Sequence, residues 1–158
     1  MPAFDDSRQC VSNVRKTIRD NIRTALLGNA TVTALVVDRV TIGRDNITES
    51  AEWPAIYIVP IRDETNTHTL SVARQQRRKM IVGIEYWVKP TSTTAPCEDS
   101  IDAGADAIAT AVLADTTQAG ACADTILTSL DYMVEGREEL RFGRGLITFE
   151  TTYFTRES

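Results

Sequence analysis

One stretch constrains the fold more than any other: Arg78-Lys79-Met80-Ile81-Val82-Gly83-Ile84-Glu85-Tyr86-Trp87-Val88-Lys89-Pro90. β-Branched and aromatic residues dominate it, and Pro90 stops it, so it reads as a strand. At period two, Met80, Val82, Ile84, Tyr86 and Val88 share one face and Ile81, Gly83, Glu85 and Trp87 the other. The first face is apolar throughout and must lie on a core. The second is mixed, which suits partial cover or contact with another chain.

The rest of the chain reads as pieces that pair with this strand or pack on it. Ser7 to Leu27 carries Val11, Val14, Ile18, Ile22 and Ala25 at helical spacing. Arg15, Lys16, Arg19, Asp20 and Arg23 lie off that stripe, Ser7 or Asp6 can cap the start, and Gly28 supplies the stop. Thr31 to Val40 supports two readings, a short helical turn through Val32, Leu35 and Val36 or an extended segment from Val37 to Ile42. Gly43 to Pro54 reads as a surface connection. Pro54 to Ile61 is a second strand, bounded by prolines, which favours a place near a sheet edge or bulged ends.

The polar connection Arg62 to Gln76 is longer than an ordinary hairpin loop. Its ends can extend the flanking strands, so 62–76 is expected to be a projecting polar loop or hairpin arm. Glu98 to Ala114 is a second helix, buried through Ile101, Ala105, Ile108, Ala109 and Val112, with Glu98, Asp99 and Asp102 suiting its N-terminal dipole. Asp124 to Glu135 and Gly145 to Arg156 alternate as two further strands, joined by a charged hairpin connection. The expected fold is α+β: a four-stranded, largely antiparallel sheet with two helices packed on one face, order αββαββ. At 158 residues the chain is expected to form a single domain, 1–158, large enough to bury about 68–70% of its unfolded surface.

Chemistry is poorly represented. The three cysteines, Cys10, Cys97 and Cys122, are far apart and form neither a disulfide framework nor a zinc pattern. The single histidine, His68, lies in the polar connection without a nucleophile or metal-ligand context. Carboxylate pairs at Asp5-Asp6, Asp63-Glu64, Glu98-Asp99 and Glu138-Glu139 fall at helix starts or in loops, where solvation explains them. No P-loop lysine follows Gly143-Arg144-Gly145. We therefore expect no enzyme, no catalytic residue, no metal site and no cofactor. No run approaches the ~20 apolar residues of a membrane helix, and the N-terminus lacks the apolar core of a signal peptide, so no membrane partner is expected.

One basic cluster stands out, Arg74-Gln75-Gln76-Arg77-Arg78-Lys79. It admits three readings: a small nucleic-acid-binding module, a charged strand edge that prevents aggregation, or a patch for an acidic protein surface. The net charge of -5 and the lack of interleaved aromatics favour the protein surface.

Several local patterns then converge. These are a leading amphipathic helix ending Ala25-Leu26-Leu27-Gly28, Ala34-Leu35-Val36-Val37-Asp38-Arg39-Val40 running into Gly43-Arg44, and Trp53-Pro54-Ala55-Ile56-Tyr57-Ile58. The long strand ending Ile84-Glu85-Tyr86-Trp87-Val88, the alanine-rich helix Asp102 to Leu113 and the terminal strand Leu146 to Tyr153 follow. In this order they resemble the tail terminator (tail completion) proteins of long, non-contractile-tailed bacteriophages. The resemblance covers nearly the whole chain and is one of element order, with no short signature.

The resemblance implies a structural virion protein at the head-proximal end of the tail, assembled in the host cytoplasm. It implies a homohexameric ring that caps the tail tube, ends its polymerisation and joins tail to head. Its partners would be itself, the tail tube protein and a head-closure or connector protein, with DNA passing through the lumen unread. Another head–tail connector or a minor tail protein is the alternative within the same class. On physical grounds the candidate protein-interface residues are Arg62, Asp63, Glu64, Arg74, Arg77, Arg78 and Lys79 of the arm, and Trp87 on the mixed face.

Overall fold

The computed structural model describes residues 11–43, 53–67, 75–89, 96–136 and 142–156. Helix α1 (Val11–Leu27) buries Val14, Ile18, Ile22 and Leu26, one residue per turn along a single stripe. Its start, including Ser7, lies outside the described residues. The Gly28 amide closes the last turn on the Thr24 carbonyl at 2.9 Å. The Asn29 side chain then caps α2 (Ala30–Val36), accepting from the amides of Thr31 and Val32. Val32 and Val36 face the core. The chain leaves α2 through Val37 at a positive φ of 60°, a conformation that a β-branched residue rarely adopts.

A single five-stranded sheet follows in the order β1-β2-β3-β5-β4. The strands are β1 (Val40–Ile42), β2 (Ala55–Thr67), β3 (Gln75–Val88), β4 (Asp124–Glu135) and β5 (Phe142–Arg156), with α3 (Cys97–Leu113) between β3 and β4. β1 runs parallel to β2; the other pairings are antiparallel. Pro60 has no amide to donate, and the β2–β3 register shifts between Pro60 and Arg62, leaving the bulge residue Ile61 half exposed. Pro60 thus marks a bulge within an interior strand.

The fold is α+β, as expected, but the sheet has five strands and the described residues contain three helices. The order αββαββ and the four-stranded sheet are corrected to ααβββαββ and a mixed five-stranded sheet. The difference lies in Thr31 to Val40, where both readings hold in part. Asn29 caps a two-turn helix, and Val40 to Ile42 supply a strand three residues long.

β3 lies in the middle of the sheet, and its two faces divide as the alternation predicts. Met80, Val82, Ile84, Tyr86 and Val88 are buried under the helices. They sit beside Ile56 and Ile58 of β2 and Ile147, Phe149 and Tyr153 of β5. α3 approaches this face closely because it presents small residues. A Cβ placed on Gly104 would stand 2.0 Å from Cε1 of the buried Tyr86 ring, and one on Gly145 of β5 would stand 2.6 Å from Cγ2 of Ile101.

The turn after α3 is held by side chains. Asp115 accepts from the Thr117 and Ala119 amides and the Thr117 hydroxyl, and these bonds hold its carboxyl below the usual carboxylate range. The buried Gln118 donates to the carbonyls of Val112 and Asp115, while its own carbonyl accepts from Asn21 of α1. The turn therefore joins both helical arms of the core.

The seat of Tyr86 on Gly104 is testable. Gly104→Ala is expected to lower the free energy of unfolding by about 1–3 kcal/mol, because neither the ring nor the helix can withdraw without opening the core. Urea unfolding of the two proteins checks this; an unchanged midpoint would show that α3 does not pack this closely.

Candidate functional site

The alternation that builds the core also sorts the candidate interface residues. Arg62 and Glu64 point outward and pair at 3.0 Å, both largely exposed. Asp63 turns inward. It accepts the Tyr153 hydroxyl at 2.7 Å and lies 3.5 Å from Arg15 of α1 and 3.6 Å from Arg78. Burial first, and the bond to Asp63 second, push the Tyr153 phenol far up from its ordinary range. Arg78 also bonds Gln76 and Thr155. Arg77 is exposed, and Lys79 pairs with Glu150 of β5 at 3.1 Å. Arg74 lies outside the described residues.

The arm residues therefore do not form one patch. Arg78 and Asp63 belong to an ion network at the margin of the core, while Arg62, Glu64, Arg77 and Lys79 lie on the side away from the helices. The paired ends do continue past the bulge, to Thr67 opposite Gln76, with β5 alongside to Arg156. The tip, 68–74, including His68, lies outside the described residues.

Trp87 is a member of an aromatic group on the outer face. Its ring centroid is 5.1 Å from that of Trp53 and 6.1 Å from that of Phe142. The guanidinium of Arg144 stands 5.8 Å from the Trp87 ring centroid. Arg144 also donates to Glu85 at 2.9 Å, and the Trp87 indole donates to the same carboxylate. Glu85 is fully buried although it lies on the face opposite the helices. The mixed character of that face thus resolves into a closed ionic and aromatic group.

The clearest surface feature is one that sequence reasoning missed. β4 is a 12-residue edge strand with β5 on one side and, among the described residues, no strand on the other. Ile126, Leu127, Tyr132 and Val134 are each 39–49% exposed along it. Long edges bearing apolar side chains invite contact with another chain, and charge or bulges limit backbone pairing there. β4 carries a register shift between Leu127 and Ser129 and the charges of Asp131 and Glu135, so its exposed apolar side chains are what it chiefly offers. The opposite edge, β1, is only three residues long.

Charge reinforces this asymmetry. Residues 1–89 carry thirteen Lys and Arg against ten Asp and Glu. From Pro90 to Gly136 there are eight carboxylates and no Lys, Arg or His. Asp102 and Asp106 of α3 stand beside Tyr132 of β4, while Asp131 and Glu135 of β4 lie on the face away from α3. The Tyr132 hydroxyl donates to Asp102, and that bond, with the charge of Asp106 behind it, raises the phenol above its ordinary range. The cation-free run was visible in the sequence as a charge block; its convergence with an apolar edge was not.

Among the described residues no group of three or more His, Cys, Asp or Glu could hold a metal ion, and no helix is long and apolar enough to cross a membrane.

No protein-family model matches the chain, and no curated protein matches it. One solved structure that aligns with it is described as "Virion of native gene transfer agent (GTA) particle". It is 9% identical, with a TM-score of 0.47, and the alignment covers 88% of this chain and 96% of that chain. The likeness is one of partial backbone course and does not by itself assign a function.

Removing the cation from the buried pair should be costly. Arg144→Leu is expected to destabilise the protein by on the order of 3 kcal/mol, and Glu85→Gln in the same chain to restore most of the loss. Denaturant titration of both variants checks this; equal stability of Arg144→Leu and the parent would contradict the pairing.

Proposed function

We propose that this chain is a structural protein of a phage-like virion that assembles into a ring, and specifically that it serves as a tail terminator. The ring, a hexamer in this reading, sits at the head-proximal end of the tail. It caps the tube, ends its polymerisation and presents the surface to which a head-closure or connector protein binds. The work is assembly rather than catalysis.

The observation that carries the reading is the β4 edge, twelve residues long, with Ile126, Leu127, Tyr132 and Val134 exposed on it. Each of its half-exposed apolar side chains stands to gain about 1 kcal/mol on further burial, so a neighbour that completes the sheet is favoured. The element order set out above supports the terminator assignment within that class. The basic cluster, by contrast, does not offer one continuous phosphate-binding surface, because Arg78 turns to Asp63 and Lys79 to Glu150. The 62–76 arm, anchored between β2 and β3, is proposed to reach the tube or a neighbouring subunit.

Native mass spectrometry and negative-stain images of the purified protein test the reading. Closed rings of one copy number are expected, and a strictly monomeric protein at high concentration would count against it. Added to polymerising tail tube protein from the same particle, the ring should shorten the tubes. Unchanged tube lengths would remove the terminator role and leave only self-assembly.

A further inference from the structure

The two edges of the sheet differ in charge as well as length. At the β4 edge, Asp106 of α3 lies on the helix side of the sheet and Asp131 and Glu135 of β4 on the other side; all three are exposed, and none pairs with a cation among the described residues. At the β1 edge the guanidinium of Arg23 donates to the Val40 carbonyl at 3.0 Å, which places it over β1. Arg19 lies one turn earlier on α1, and Arg39, just before β1, donates to the Pro54 carbonyl. The described residues of α1 carry four cations, Arg15, Lys16, Arg19 and Arg23, against the single carboxylate Asp20.

We infer that these edges are the two halves of one contact: the acidic β4–α3 edge of one copy docks on the cationic β1–α1 edge of the next. The inference rests on the self-assembly reading above and adds to it which surfaces meet. A two-fold dimer through either edge would set like charge against like, which costs affinity and specificity. Head-to-tail contact sets opposite charges together and uses both edges of every copy. A heterologous contact of this kind closes into a ring when its rotation permits. The apolar side chains of β4 supply the burial, and the flanking carboxylates and guanidiniums fix its direction.

The test exchanges the charges. Asp106→Lys with Asp131→Lys makes both edges cationic; Arg19→Glu with Arg23→Glu makes both acidic. All four side chains lie on the surface or at its margin, and circular dichroism and thermal melts confirm that each variant is folded. Each variant alone should remain monomeric where the parent assembles. An equimolar mixture should recover rings with the two variants in equal number, because every contact then joins a cationic edge to an acidic one. Parent assembly should also need roughly tenfold more protein or greater at 1 M salt than at 0.1 M, as the Debye length falls from about 10 Å to about 3 Å.

Assembly of either variant alone at the parent's concentration would overturn the inference while leaving self-assembly standing. That includes the case in which only Arg19→Glu with Arg23→Glu assembles normally, which would assign the β4 edge to a surface of the sister copy other than the β1–α1 edge. A mixture of folded variants that stays monomeric would overturn it as well. A parent protein that never self-associates would remove this inference and the self-assembly reading together.

Discussion

Everything in this fold follows from the two-sidedness of β3. A strand places successive side chains on opposite faces, and here one face is filled with Met80, Val82, Ile84, Tyr86 and Val88. That face demands helices, and all three described helices contribute to the core upon it. The demand is met at close range because α3 offers Gly104 to the Tyr86 ring and Ile101 to the bare backbone of Gly143 and Gly145. The other face receives no described helix. It closes on itself through Glu85, Arg144, Trp87, Trp53 and Phe142.

With the faces settled, the edges become the open question, and they are unequal. β1 is short and lies beneath the cationic α1, while β4 is long and exposes both apolar side chains and carboxylates. In the proposed reading, neighbouring copies complete both edges. The acidic net charge of the chain is therefore not spread evenly; it is the remainder of an acidic middle segment against a mildly basic N-terminal part.

Much of this was legible in the residues. The faces of β3, the buried stripe of α1 and the alternation of β5 could be read because each has a strong period and a flanking stop. The segment around Val37 could not, since a two-turn helix and a three-residue strand are each too short to show a period, and Asn29 capping decides between them locally. The described ends of the arm extend the flanking strands, β2 to Thr67 and β3 from Gln75. The inward turn of Asp63 and outward turn of Arg62 depend on the Ile61 bulge, which shifts the alternation of β2 by one residue, whereas Arg78 and Lys79 follow the unbroken alternation of β3. The interface signal at β4 was missed because burial, not composition, distinguishes an edge strand from an interior one. Ile126, Leu127 and Val134 look like core residues until the strand order leaves one side of β4 open.

The central claim is that a sister copy completes the β4 edge. Hydrogen exchange, residue by residue, on dilute and assembled protein measures it most directly. Amides of β3 should be protected in both states, whereas those of β4 that point away from β5 should exchange quickly when dilute and slowly once assembled, together with amides of β1. Free exchange of the outward β4 amides in assembled particles would contradict the account.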